Sequence, residues 1–196
     1  MGSILPRSFY DRETEIVARE MLGTILECTT PHGKASGIIV ETEAYVGEHD
    51  PACHAAAGLT RRTAPLYERP GISYVYFIYG VHWCFNAVTR ATGLPGAVLV
   101  RAVEPLTGEA LMRERRGPKV SGVSLTNGPG KLCAALGIDG SLNGLSLQRG
   151  PLVIRAGTSV PDEAVAITPR IGITKAADWP LRYFIRDNVF VSKARF

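Results

Sequence analysis

The segment Val40-Glu-Thr-Glu-Ala-Tyr45 carries two carboxylates and a phenol at alternate positions of an apolar, β-branched run. On a strand, alternation places Ile38, Val40, Thr42 and Ala44 on one face and Ile39, Glu41, Glu43 and Tyr45 on the other. A shielded carboxylate beside aromatic rings can serve as a general base, which makes Glu43 the strongest single candidate. The same spacing also fits two carboxylates on a solvated strand face. Residues i and i+2 lie about 7 Å apart with parallel side chains, so this pair cannot flank a substrate from opposite sides. One active carboxylate is expected.

Tyr45, His54, Tyr74, Tyr76 and Tyr79 gather aromatic surface within 35 residues, enough to stack planar bases or to pack a core. Tyr79 precedes Gly80 at the expected tip of a hairpin formed by SYVYFI and HWCFNAVT, where a ring protrudes and can wedge between base steps. Asn86, on the returning arm, could read a base edge or satisfy a buried backbone group. Arg101 interrupts the apolar strand AVLVRAV and needs either an anion, of which Glu43 is the natural one, or an edge position open to water. Gly128-Pro-Gly-Lys131 sets backbone donors and an ammonium at a helix start. It lacks the spacing of a Walker loop, since Leu132 follows the lysine. Arg61-Arg62 could touch a phosphate backbone.

The elements that must position these groups are legible in outline. An amphipathic helix is expected over 11–22, ending at Gly23, followed by two antiparallel strands around Pro31-His32-Gly33. A long irregular connection spans 46–72, a length that is often functional. A short helix is expected in TGEALMRERR, with Thr107 as its N-cap and Glu109 paired to Arg113. LCAALG forms another helix ending at Gly137. Short strands around PLVIRA and AVAITP precede a Trp179-Pro-LRYFI segment that docks back on the core. Strands interleaved irregularly with helices favour an α+β fold: one compact domain over 1–196, a mixed, mainly antiparallel curved sheet, surrounding helices and a protruding β-hairpin.

Composition bounds the partners. The 196 residues are 45% hydrophobic and 20% charged, which argues against disorder. No apolar run approaches the roughly 18 residues of a membrane span. The opening residues do not form a secretory signal, so a protein that is not secreted, cytoplasmic or nuclear according to its source, is expected. The net charge of +4 carries 17 Arg against 5 Lys and mildly favours a polyanion. Cys28, Cys53, Cys84 and Cys133 form no C-x-x-C pair, which favours reduced thiols over a zinc or disulfide framework.

In order along the chain, Val40-Glu-Thr-Glu-Ala-Tyr45, Asp50-Pro51 with His54, Tyr74 to Gly80 with Asn86, Val98-Leu-Val-Arg-Ala-Val-Glu-Pro105, Gly128-Pro-Gly-Lys-Leu-Cys133, Pro169-Arg-Ile-Gly-Ile173 and Pro180-Leu-Arg-Tyr183 resemble the alkyladenine (3-methyladenine) DNA glycosylase family. The resemblance implies excision of alkylated or deaminated purines from double-stranded DNA: 3-methyladenine, 7-methylguanine, hypoxanthine or ethenoadenine. The base is flipped out and its N-glycosidic bond hydrolysed with no metal or organic cofactor. It further implies Glu43 as the general base and Arg101 as the group that helps hold the attacking water. Tyr45, His54 and Tyr76 become walls of the base pocket, and Asn86 the residue that excludes the guanine amino group. Tyr79 becomes the side chain that fills the vacated stack, with Lys131 and Arg62 as phosphate contacts. The loop after His54 follows the family pattern only loosely. No lysine falls between Glu43 and Tyr79, consistent with a monofunctional hydrolase rather than an amine nucleophile. A monomer is expected, and a non-catalytic damage-binding protein is the alternative. The H-x-E and P-C-x-x-C signatures of zinc deaminases are missing.

Overall fold

Strand β2 (Gly33–Tyr45) is the longest element and the axis of the sheet. The structure, a computed structural model, describes residues 2–193. Along one edge β2 pairs with β1 (Ile25–Thr30) through Gly33 to Ile38 and then with β8 (Arg182–Ile185) through Glu41 to Glu43. Along the other it pairs with β5 (Ala97–Thr107), which pairs in turn with β4 (His82–Val88) and β4 with β3 (Ser73–Ile78). With β6 (Leu152–Arg155) beside β1 and β7 (Val165–Thr168) beside β8, all eight strands are antiparallel to their neighbours. This is the expected α+β arrangement, and the β3–β4 hairpin projects from it. No helix among the described residues is long and apolar enough to cross a membrane.

One sheet face carries Val75, Phe85, Ala87, Val98 and Val100. It packs on α2 (Thr14–Glu20) through Val17 and Ala18 and on α4 (Pro129–Leu136) through Leu132, Cys133 and Leu136. Fully burying a side chain such as Phe85 contributes about 1.5–3 kcal/mol. The opposite face carries Tyr74, Val88 and Ala97, packed with Cys53, Ala55, Leu66 and Ile72 of the long connection, whose short 3-10 turns span His54–Ala57 and Ala64–Tyr67.

Strict alternation along β2 fails at Val40. Ile39 faces Val103 while Glu41 faces Ala102, and Thr42 then faces Val100, so Val40 and Arg101 are extra residues on their strands. The core therefore takes Ile39 before the shift and Ala44 after it, not the even-numbered set throughout. A bulge re-aims side chains in this way, and here it leaves Arg101 in contact with both Glu41 and Glu43.

Two helix expectations are corrected. The 11–22 helix shrinks to Thr14–Glu20. A separate turn, α1 (Arg7–Tyr10), precedes it, because the chain bends at Asp11-Arg12 and the Arg12 side chain donates to the Phe9 carbonyl. Thr107 does not cap α3 (Glu109–Arg116). It remains in β5, where its hydroxyl bonds Ser36, and the cap is Gly108 in the left-handed region. A Cβ at Gly108 would collide with the Lys34 carbonyl, so only glycine fits there. The Glu109–Arg113 bridge and the end of α4 at Gly137 are as expected.

Candidate active site

Glu43 has no accessible surface, nor has Glu41, so the solvated-face alternative does not hold. Its Oε1 accepts the backbone N–H of Ile171 at 2.7 Å and lies 3.1 Å from Arg101 Nη1. Its Oε2 accepts the Tyr45 hydroxyl at 2.9 Å. A carboxylate offers about four lone-pair positions. Two hydrogen bonds occupy two of them, and Arg101 adds an ion pair.

Arg101 sits on the inner strand β5, 8% exposed, and is not an edge residue reaching solvent. Burial works against its charge, but Glu43 and Glu41 outweigh burial and raise its pKa. Burial, followed by the charge of Glu43, pushes the Tyr45 phenol well above its ordinary value, so Tyr45 stays protonated and donates.

The donors of Glu43 line a cavity of about 320 Å³, within the size range of small-molecule sites. Tyr45, His54, Tyr76, Tyr79, Asn86 and Arg101 share its walls. The His54 and Tyr76 rings meet edge to face with centroids 4.6 Å apart, and His54 Nδ1 shares a 2.8 Å hydrogen bond with the Tyr74 hydroxyl. Burial, and secondarily the Arg62 cation, hold the His54 pKa below its usual value. Asn86 is buried on β4 opposite Leu99, and its amide donates to the Tyr74 carbonyl at 3.1 Å.

Tyr79 stands at the cavity mouth, 80% exposed, with φ of 55° beside Gly80 at 69°. Two successive positive φ values make a type I′ turn, in which tyrosine is a strained choice. Lys131 lies on α4 and donates to Asn127 at 2.8 Å; its neighbours Pro129 and Gly130, not Lys131 itself, line the cavity. Arg62 is exposed, 5.7 Å from the Tyr76 ring centre, and borders a second depression together with Thr60, Thr63 and Lys175.

Several contributors escape a reading of the sequence. Ile171 supplies a backbone donor, which no side-chain pattern advertises. Arg170 is fully buried and forks onto Asp50, at 2.5 Å to Oδ2 and 2.8 Å to Oδ1. This pair joins the loop before His54 to the loop bearing Ile171. Arg170 also stacks 4.7 Å from the Tyr45 ring centre. Arg182 reaches Glu41 from β8. An arginine inside an apolar segment is the signal that singled out Arg101, and Arg182 in LRYFI carries the same signal. Among the described residues no group of three His, Cys, Asp or Glu side chains could hold a metal ion, and all four cysteines are buried and free.

The arrangement is thus a buried carboxylate behind an aromatic cavity, on an antiparallel sheet with a protruding hairpin. The chain belongs to the methylpurine-DNA glycosylase family, whose model matches residues 8–189. A protein of Myxococcus xanthus is 48% identical over 192 residues, covering 96% of this chain and 93% of its own length. One from Methanoculleus marisnigri is 46% identical, with 96% and 98% covered, and one from Salinibacter ruber 48%, with 97% of each covered. The curated names of all three propose a 3-methyladenine DNA glycosylase.

Proposed function

We propose that this chain acts as a monomeric, monofunctional purine DNA glycosylase. It flips alkylated or deaminated purines from duplex DNA and hydrolyses the N-glycosidic bond with water primed by Glu43, leaving an abasic site. The observation that carries this reading is the set of groups on Glu43: Ile171 N–H and Tyr45 O–H hydrogen-bond it, Arg101 pairs with it, and all three line the cavity in front of it, which leaves the carboxylate a free lone-pair position for a water held just behind that wall. As the bond to the purine breaks, positive charge grows on the sugar. The carboxylate stabilises that charge and takes the water's proton.

A purine inside a duplex cannot reach a buried base, and extruding it costs a few kcal/mol of stacking and pairing. Tyr79, exposed on its turn, fills the gap. Stacking on Tyr45, His54 and Tyr76 returns roughly 1–3 kcal/mol per aromatic contact and favours cationic bases such as 3-methyladenine. Asn86 crowds the guanine amino group, while Arg62 and Lys131 contact phosphates.

The test is release of free base from duplexes bearing hypoxanthine or 3-methyladenine, with the product strand checked for breaks. Glu43→Gln should lower single-turnover excision by at least the 10²–10⁴-fold typical of a lost general base, with lesion binding retained. Wild-type rates in that variant would remove the assignment. Binding of lesion DNA by the wild type without release would favour the damage-binding alternative.

A further inference from the structure

We infer that Glu41 is a positioning residue for Arg101, itself held by Arg182 and Ser192; this rests on the roles proposed above for Glu43 and Arg101. Glu41 has no accessible surface and no place in the cavity wall, yet four donors converge on it. Its Oε1 accepts Arg101 Nε at 3.0 Å, Arg182 Nε at 2.7 Å and the Ser192 hydroxyl at 2.8 Å, while Oε2 accepts the Ser192 backbone N–H at 2.7 Å. Arg182 also donates to the Ser192 carbonyl and to Thr168, and stacks 4.4 Å from the Phe184 ring centre. Ser192 lies beyond the stretch that the family model matches and ties the segment after β8 into this cluster.

The consequence for Arg101 is one of orientation. Its strand is bulged at that point, so the backbone alone does not fix where the guanidinium points. Glu41 holds it by Nε, and Ser192 Oγ accepts from Nη2 at 3.4 Å, which leaves Nη1 beside Glu43. A guanidinium released from Glu41 turns its fork onto Glu43, because a bidentate carboxylate pair is its strongest arrangement. That fork would take the lone pairs that hydrogen bonds leave open on Glu43, including the one the water needs. Glu41 thus keeps Arg101 shared between both carboxylates and off the open lone pairs of Glu43, and its loss should slow chemistry without loosening the base pocket.

The experiment compares wild type, Glu41→Gln, Ser192→Ala and Glu43→Gln on a duplex with one hypoxanthine, by single-turnover excision with active sites titrated and by lesion-duplex Kd. Glu41→Gln should lower the rate at least 30-fold with Kd within threefold of wild type, and Ser192→Ala should show a three- to tenfold loss with the same split. Glu41→Gln combined with Arg182→Gln restores the charge count. If Glu41 positions Arg101, thermal stability recovers in the double variant while the rate stays low. A wild-type rate in Glu41→Gln, or rate and stability recovering together, would overturn the inference. Where Glu41→Gln does not fold, an unchanged rate in Ser192→Ala overturns it. Wild-type rates in Glu43→Gln would instead sink the underlying reading, whereas an inactive Glu43→Gln beside a fully active Glu41→Gln sinks this inference alone.

Discussion

Replacing Asp50 with Asn removes one charge and no volume, at a place where both partners of an ion pair have no accessible side-chain surface. Asp50 accepts two bonds from Arg170 and the backbone N–H groups of Ala52 at 3.0 Å and Val46 at 3.2 Å. An amide in its place must point an NH2 at one of these donors, whichever way it turns. Arg170 is left charged and buried with the Asn oxygen and the neutral Ala44 carbonyl as its acceptors, and its Nε already lacks a partner. Breaking a buried pair on one side costs about 3–5 kcal/mol. For a chain of this length that corresponds to a fall in Tm of about 6–20 °C, at 2–4 °C per kcal/mol. The effect should also depend on pH. Burial raises the Asp50 pKa, but the Arg170 bonds and the Ala52 and Val46 N–H groups outweigh it, and the net value lies below the ordinary one. A carboxylate with a depressed folded pKa contributes stability above its unfolded pKa of about 3.9 and loses it as pH falls through the folded value. Urea denaturation of both proteins at pH 7 and below pH 4 should therefore show a gap that narrows on acidification. A variant within 1 kcal/mol of wild type at pH 7, or a gap independent of pH, would refute the account of this clamp.

Three further outcomes are expected. Tyr79→Asn replaces a strained residue with the one the type I′ turn prefers, so it should stabilise the protein by about 0.5–1 kcal/mol while weakening lesion-duplex affinity at least tenfold; equal affinity would count against a wedge. Asn86→Ser should release unmodified guanine from duplex DNA at a rate above wild type, and an unaltered lesion-to-guanine ratio would exclude the proposed selectivity role. Because burial and Arg62 depress the His54 pKa, the folded state disfavours His54 protonation. Stability tied to it is present above the unfolded value of about 6.5 and lost as pH falls below it. Wild type should then lose more stability than His54→Gln between pH 8 and pH 5.5, and parallel curves would contradict that.

The sequence carries the architecture where local physics is strong. The β1–β2 pair, the β3–β4 hairpin with Tyr79 at its tip, the β5 strand and the α4 helix ending at Gly137 follow from β-branched runs, turn residues and a glycine terminator. Grouping Tyr45, His54, Tyr76, Tyr79, Asn86 and Arg101 around one cavity was legible mainly through ordered motifs, since no spacing brings residues 45 and 101 together. Thr107 misleads as a cap because a strand that continues one residue further outcompetes a side-chain cap.

Residue chemistry was thus written in the chain itself: a carboxylate on a strand, an arginine within an apolar run, a tyrosine before a turn glycine. Tertiary structure alone decided that Val40 and Arg101 bulge out of register and so aim Arg101 at both glutamates. It also decided that Asp50 meets Arg170 across 120 residues and that Ile171 offers Glu43 a backbone N–H. The reason is physical: a buried charge is tolerated only where its partners arrive from elsewhere in the chain, and backbone donors leave no mark in residue type.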